Sequence, residues 1–186
     1  MKKIQVLILL GLFMFCISCK AQTLPLNTPL WDIPANSYVK DLNNELLPYV
    51  GTYKATYQGH EITLFITKTD NMLVKSAKKN FFQDALVVKY IVKNSIGIIL
   101  QDTQNINNLN IKFYSFGTDP TKNIVDFSYS GTNCNVGGGL VYLKRINATQ
   151  LSWDYQPQEG GDDNCPPGTD TTVYLPDVDN LIFTKQ

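Results

Sequence analysis

From Pro48 onward, apolar and polar positions alternate with a period of two. In Tyr49–Gln58, Tyr53, Ala55 and Tyr57 fall on one side, and Thr52, Lys54, Thr56 and Gln58 on the other. In Glu61–Lys68, Ile62, Leu64 and Ile66 alternate with Glu61, Thr63 and Thr67, and Gly59-His60 predicts a turn between the two runs. Alternation of this kind gives each run one core face and one wet face, so the pair predicts a β-hairpin. A polar, less ordered span follows at 69–80. Further strands are predicted over 82–93, 96–101, 109–116, 123–130, 139–146, 149–156, 171–175 and 180–185, separated by turn signals such as Asn94-Ser95, Asp119-Pro120 and Asn147-Ala148. Before Pro48 the period differs. Val39, Leu42 and Leu46 fall at helical spacing, Ser37 can cap, and Pro48 ends the run, so a short helix is predicted over Ser37–Leu47, with an irregular loop as the competing reading. Consecutive short strands joined by tight turns imply an all-β domain: an antiparallel up-and-down meander closed into a β-barrel, or folded into a sandwich, behind one short N-terminal helix.

The first 22 residues follow neither period. Lys2 and Lys3 precede an apolar run from Ile4 to Ile17, closed by Ser18 and Cys19. That is the layout of a secretory signal, and the run is too short to span a membrane. Ile17-Ser18-Cys19 resembles a bacterial lipobox, in which a peptidase cuts before a cysteine that carries lipid. The resemblance implies that 1–18 is a signal peptide and that Cys19 becomes the lipidated N-terminus. Cys16 competes poorly, because Phe15 stands where a small residue is needed. An ordinary signal peptide cut at Ala21 is the rival reading. Residues 20–36 hold three prolines and no periodicity, so 19–36 reads as a lipidated tether, with Trp31 and Ile33 tacking its end onto the core, and 37–186 as the barrel domain.

Two further patterns carry a resemblance. Gly51-Thr52-Tyr53, opening the first strand, resembles the Gly-x-Trp signature of lipocalin-like barrels, with Tyr53 in the tryptophan position. Asn180-Leu181-Ile182-Phe183-Thr184-Lys185 is similar to the last strand of such barrels. Taken with SCKAQ, PYVGTY and FFQDALVVKY, nearly the whole chain resembles a group of secreted bacterial lipoproteins known only as a domain of unknown function. The resemblance implies a lipocalin-like barrel and an envelope location, and carries no activity or site residues.

Composition narrows the chemistry. Removing 1–18 takes away Lys2 and Lys3 and no acid, leaving 14 basic and 16 acidic residues and a formal charge of −2. Such a balance gives no electrostatic case for nucleic acid and no polybasic patch for anionic lipid. With Cys16 and Cys19 assigned, Cys134 and Cys165 remain as a pair in an oxidising compartment, which predicts a disulfide. A zinc site would need ligands beyond two thiolates, and no histidine lies near either cysteine in sequence.

Candidate catalytic groups are sparse. His60 is the only histidine, beside Glu61 in a predicted turn, without a nucleophile in a recognisable motif. Gly137-Gly138-Gly139 lacks the Lys-Ser/Thr of a phosphate cradle and reads as a bend or bulge. Glu159, Asp162, Asp163, Asn164 and Asp170 could offer oxygen ligands, but their spacing matches no calcium loop. Asp84, Asp126 and Asp154 lie in strand-like runs. Alternation puts Asp154 in solvent if Trp153 is in the core, which disfavours a glycosidase pair. The chain is therefore expected to be no enzyme and to need no cofactor or metal. The leading expectation is a lipid-anchored envelope protein, at the outer membrane on its periplasmic or surface side. It would bind a small apolar or amphipathic ligand inside the barrel against Tyr53, Tyr57, Phe127, Tyr129 and Trp153. The alternative is a structural or interaction lipoprotein with a filled core and a protein or glycan partner.

Overall fold

In a computed structural model, the described residues are 23–76, 78–106, 112–161 and 165–186. The signal segment 1–18, Cys16 and Cys19 lie outside them, as do Asp162, Asp163 and Asn164.

Eleven strands follow one another: β1 (Thr23–Pro25), β2 (Tyr38–Lys40), β3 (Gly51–Tyr57), β4 (His60–Lys75), β5 (Asn80–Lys93), β6 (Ile99–Asp102), β7 (Phe113–Asp119), β8 (Ile124–Tyr129), β9 (Gly139–Arg145), β10 (Gln150–Pro157) and β11 (Leu181–Lys185). Eight of them, β3, β4, β5 and β7 to β11, pair in chain order as an antiparallel meander. Pairing of β11 with β3, through Thr184↔Lys54 and Lys185↔Tyr53, closes the barrel. Closure removes the sheet edges that a meander would leave unpaired.

The 14-residue strand β5 organises the rest. One edge runs along β4. Its other edge is shared by three partners: β2 in parallel at Phe82 and Gln83, β7 at Val87, and β6 at Ile91 to Lys93. Gln83 through Val88 are all buried, which explains the near-continuous apolar run of this strand. Between β5 and β7 a single register pair, Val87↔Tyr114, closes the ladder. Buried Ser115 reinforces it: its hydroxyl accepts from the Leu86 N–H at 2.8 Å, and its carbonyl accepts from Gln83 Nε2 at 3.2 Å.

The helix expected over Ser37–Leu47 does not form. Tyr38–Lys40 is strand β2, and Leu47–Tyr49 is a single 3-10 turn. The Glu45 and Leu46 N–H groups donate to the Asp41 carboxylate, at 2.7 and 3.3 Å, instead of to carbonyls one turn back. The three apolar positions also share no face, since Val39 and Leu46 are buried and Leu42 is 55% exposed. The polar span 69–80 is largely strand: β4 continues to Lys75 through a bulge between Thr69 and Met72. The extra residue breaks the alternation and hides the strand from a period-two reading. Residues 171–175 form no strand, although Leu175 is buried and Val173 and Tyr174 pack on the core. The proline-rich stretch contributes β1, and Leu26 and Ile33 are buried while Trp31 is not.

The interior is filled. Phe113, Phe127, Tyr129, Trp153, Tyr155 and Phe183 make a chain of mostly edge-to-face contacts, with ring centroids 5.3 to 6.0 Å apart. Cys134 and Cys165 form a disulfide with Cα atoms 5.5 Å apart. It ties the β8–β9 connection to the loop after β10. The glycine run 137–139 lets these segments approach: a Cβ on Gly139 would meet the Gln156 carbonyl oxygen at 2.2 Å, and Gly137 has φ +69°.

A candidate binding pocket at the barrel seam

Where β7 parts from β5 and β6 takes over that edge, the ladder leaves a gap. A hollow of about 110 Å³ occupies it, between β5 and β6 on one side and β7, β8 and the start of the β8–β9 connection on the other. Val88, Phe113 and Ile106 give it apolar walls. At its base the Tyr90 and Tyr129 hydroxyls hydrogen-bond each other at 2.8 Å. Burial pushes the Tyr90 hydroxyl up to about 12, with the Tyr129 bond acting against it, and burial raises Tyr129 as well, so both stay protonated donors. Thr103 locks the β5 edge here, accepting from the Tyr90 N–H at 2.7 Å and donating to the Tyr90 carbonyl at 3.1 Å.

The polar groups at the rim are unevenly satisfied. Gln101 Nε2 donates to the Thr132 hydroxyl at 2.9 Å, while Gln101 Oε1 is buried without a hydrogen-bond partner among the described residues. Leaving such an atom unpaired costs roughly 1–3 kcal/mol, so a bound group that satisfied it would gain accordingly. Lys112 Nζ donates to the Thr132 carbonyl at 3.1 Å, and Lys89 Nζ to the carbonyls of Gln104 and Ile106, both at 2.9 Å. Neither lysine has a carboxylate partner among the described residues. Apolar walls and two ammonium groups without a carboxylate partner suit a small amphipathic molecule with an anionic end, while the Gln101 oxygen as placed calls for a donor.

The match to known families covers the whole of this architecture, residues 1–186. The chain belongs to the family of unknown function DUF6705. No curated protein and no solved structure matches it. For DUF6705, then, the site has to be read from its residues alone.

Of the residues expected to line a barrel ligand, Tyr53, Phe127, Tyr129 and Trp153 are buried in the core, and Tyr57 is half-buried at its end. Only Tyr129 reaches the seam pocket. Trp153 donates from Nε1 to the Pro176 carbonyl at 2.9 Å, and the Lys185 ammonium sits 5.5 Å from the centre of the Tyr53 ring. Both contacts fix the side chains as packing. The larger hollows, about 810 Å³ beside Asn135 and Gly160 and about 420 Å³ beside His60, are open grooves on the surface. Gln101, Lys89 and Lys112, the polar groups of the seam, carry no motif. Their only sequence signal is a polar residue inside a strand-like run.

The other sequence candidates fall apart as chemistry. His60 opens β4 opposite Tyr57, with no serine or cysteine in its groove. Asp126 and Asp154 do share a row on the outer face, separated by Tyr142 of β9, which puts them roughly 10 Å apart at two strand spacings. Burial raises the Asp126 carboxyl, aided by Asp119, while Asp154 accepts the Asn180 N–H. Neither lines any of the four hollows found among the described residues. Among the described residues no group of three metal-ligating side chains exists.

Asp84, noted in sequence only as a strand aspartate, is the centre of a polar cluster that no single run reveals. Buried Asp84 accepts from the Tyr38 hydroxyl, the Asp41 N–H and the Asn71 N–H, the last two at 3.0 Å. Burial pushes its carboxyl up, but these bonds and the Lys68 charge outweigh it, and the net shift is downward. Lys68 in turn bridges buried Asp41 at 3.1 Å and exposed Asp70 at 3.4 Å. Every carboxylate oxygen of Asp84 and Asp41 has a donor, and the cluster joins β2, β4 and β5. It is an anchor for the N-terminal arm.

Proposed function

We propose that the protein is a lipid-anchored, non-catalytic module of the bacterial cell envelope, held through Cys19 at the outer membrane. It takes a small amphipathic anion at the β5–β7 seam and not in the barrel interior. The observation that carries this reading is the seam pocket itself: apolar walls beside Lys89 and Lys112, next to an interior closed by aromatic packing. Its size sets the ligand class. An apolar cavity of about 150 Å³ holds a benzene ring, so this hollow of about 110 Å³ takes at most one ring, with its carboxylate outside at the rim. Turning the Gln101 amide over would let Oε1 accept from Thr132 and aim Nε2 at that carboxylate, removing the unpaired atom.

The test is an amide NMR titration of the unlipidated mature chain (Cys19→Ser) with benzoate as probe. Saturable shifts confined to Gln101, Thr103, Phe113 and Thr132, abolished by Lys112→Glu, support the reading. Absence of saturable shifts at millimolar benzoate overturns it. The second reading, favoured by the packed interior, is a rigid barrel that serves as a platform for a macromolecular partner. It stands if the titration fails.

A further inference from the structure

Trp31 is 81% exposed and Leu30 beside it 50%, on a three-residue 3-10 turn. The turn is strapped down. Lys79 Nζ donates to the carbonyl oxygens of Leu30 at 2.6 Å and Trp31 at 3.4 Å, and to that of Ile33, whose side chain is buried. An ammonium therefore fixes a backbone whose largest side chain stands in water. Isolated exposed apolar residues are ordinary, but an indole and a leucine presented together on a clamped turn suit a surface that is itself partly apolar.

Lys79 belongs to the hairpin joining β4 to β5, closed by mutual hydrogen bonds between Ser76 and Lys79. Lys75 and Lys78 of the same hairpin are exposed. The start of β1 reaches this end too. Register aligns Thr23, Tyr38, Phe82 and Leu73 in one row across β1, β2, β5 and β4. That row lies only about 10 Å along the strands from the hairpin turn, and Leu73 in it is 46% exposed. Three residues lie between Cys19 and Thr23, so the four steps from one to the other span at most about 14 Å. Acyl chains on Cys19 would thus hold this end of the barrel close to the bilayer.

We infer that this end rests on the lipid surface that holds the Cys19 acyl chains, with Trp31 and Leu30 seated at the headgroup level and Lys75 and Lys78 beside them. The inference rests on the lipid-anchor reading above. Indole rings favour the headgroup region, and lysines near the surface gain from anionic lipid. A short tether with a seated end fixes how the barrel stands on the membrane, leaving the seam pocket at a set height and angle.

Trp31 and Trp153 are the two tryptophans of the chain, and Trp153 is fully buried, so it supplies a constant background. The test uses the full lipidated protein, purified in detergent and reconstituted into vesicles of phosphatidylethanolamine and phosphatidylglycerol, with and without bromine on the acyl chains. The expected result is a blue-shifted emission that bromine quenches, with quenching lost in Trp31→Phe, which keeps Trp153. A protein that carries the acyl mass and floats with the vesicles, yet emits equally with and without bromine, overturns the seating and leaves the anchor intact. An intact mass without acyl chains overturns both.

Discussion

Truncating Phe127 separates a filled barrel from an open calyx. Its side chain is fully buried, and the Phe113 ring stands 5.5 Å away at 78°. Phe113 in turn contacts Tyr129 and Trp153, and Trp153 contacts Phe183, so the Phe127 site is enclosed on the barrel axis by other rings. Removing a phenyl group from such a site loses its transfer energy and leaves a cavity that stiff β-strands collapse poorly. Phe127→Ala is expected to cost about 3–5 kcal/mol. Against a domain stability of roughly 5–15 kcal/mol, that is a third or more of the total. Had Phe127 lined an open calyx, one of its faces would lack neighbours already, and the loss would fall toward the roughly 1 kcal/mol of an average substitution. Guanidinium unfolding of the oxidised mature protein measures this directly. The midpoint should fall while the slope stays constant, since the slope follows the surface exposed on unfolding. A loss below about 1.5 kcal/mol at unchanged slope would refute the filled-core account.

Two further outcomes follow from the anchors of the fold. The disulfide closes a loop with a sequence separation of 31, so replacing Cys134 and Cys165 by serine should lower stability by about 3.7 kcal/mol on the chain-entropy model. Thiol alkylation without reductant should meanwhile leave the native intact mass unchanged. Asp84 titrates lower folded than its ordinary value of 3.8, so the folded state binds fewer protons and the contribution of Asp84 is complete at neutral pH. That contribution is lost as pH falls through the ordinary carboxylate range toward the lower folded value. Asp84→Asn should therefore flatten the stability curve between about pH 5 and 3, and an unchanged slope there would remove Asp84 as its source.

The eight barrel strands were legible because most of their signal is local. Tyr53, Ala55, Ile62, Leu64 and Ile66 alternate within single strands, and short turns such as Gln58-Gly59 leave antiparallel neighbours no other partner. What was illegible has a common cause: the deciding contact is distant in sequence. β2 forms because Tyr38 and Val39 pair in parallel with Phe82 and Gln83, and three residues of strand carry no period of their own. The helical spacing of Val39, Leu42 and Leu46 was real as a pattern. The Asp41 carboxylate nevertheless captured the N–H groups a helix would have used, and it is held in place by Lys68 of another strand.

The same division applies to the site. Tyr53, Phe127, Tyr129 and Trp153, expected to line a ligand, are buried and Tyr57 is half-buried, since alternation reports which side faces inward; it cannot report whether burial leaves a void. That depends on how Phe113, Phe127, Trp153 and Phe183 from four strands meet on the axis, which no single run contains. The seam pocket exists for a reason equally invisible along the chain: β5 is longer than the partner that closes the barrel, so β7 and β6 must divide its edge and leave a gap between them. Gln101 and Lys112 matter only because that gap lies between them. A long strand with several short partners is thus where this barrel, having filled its interior, retains a hollow.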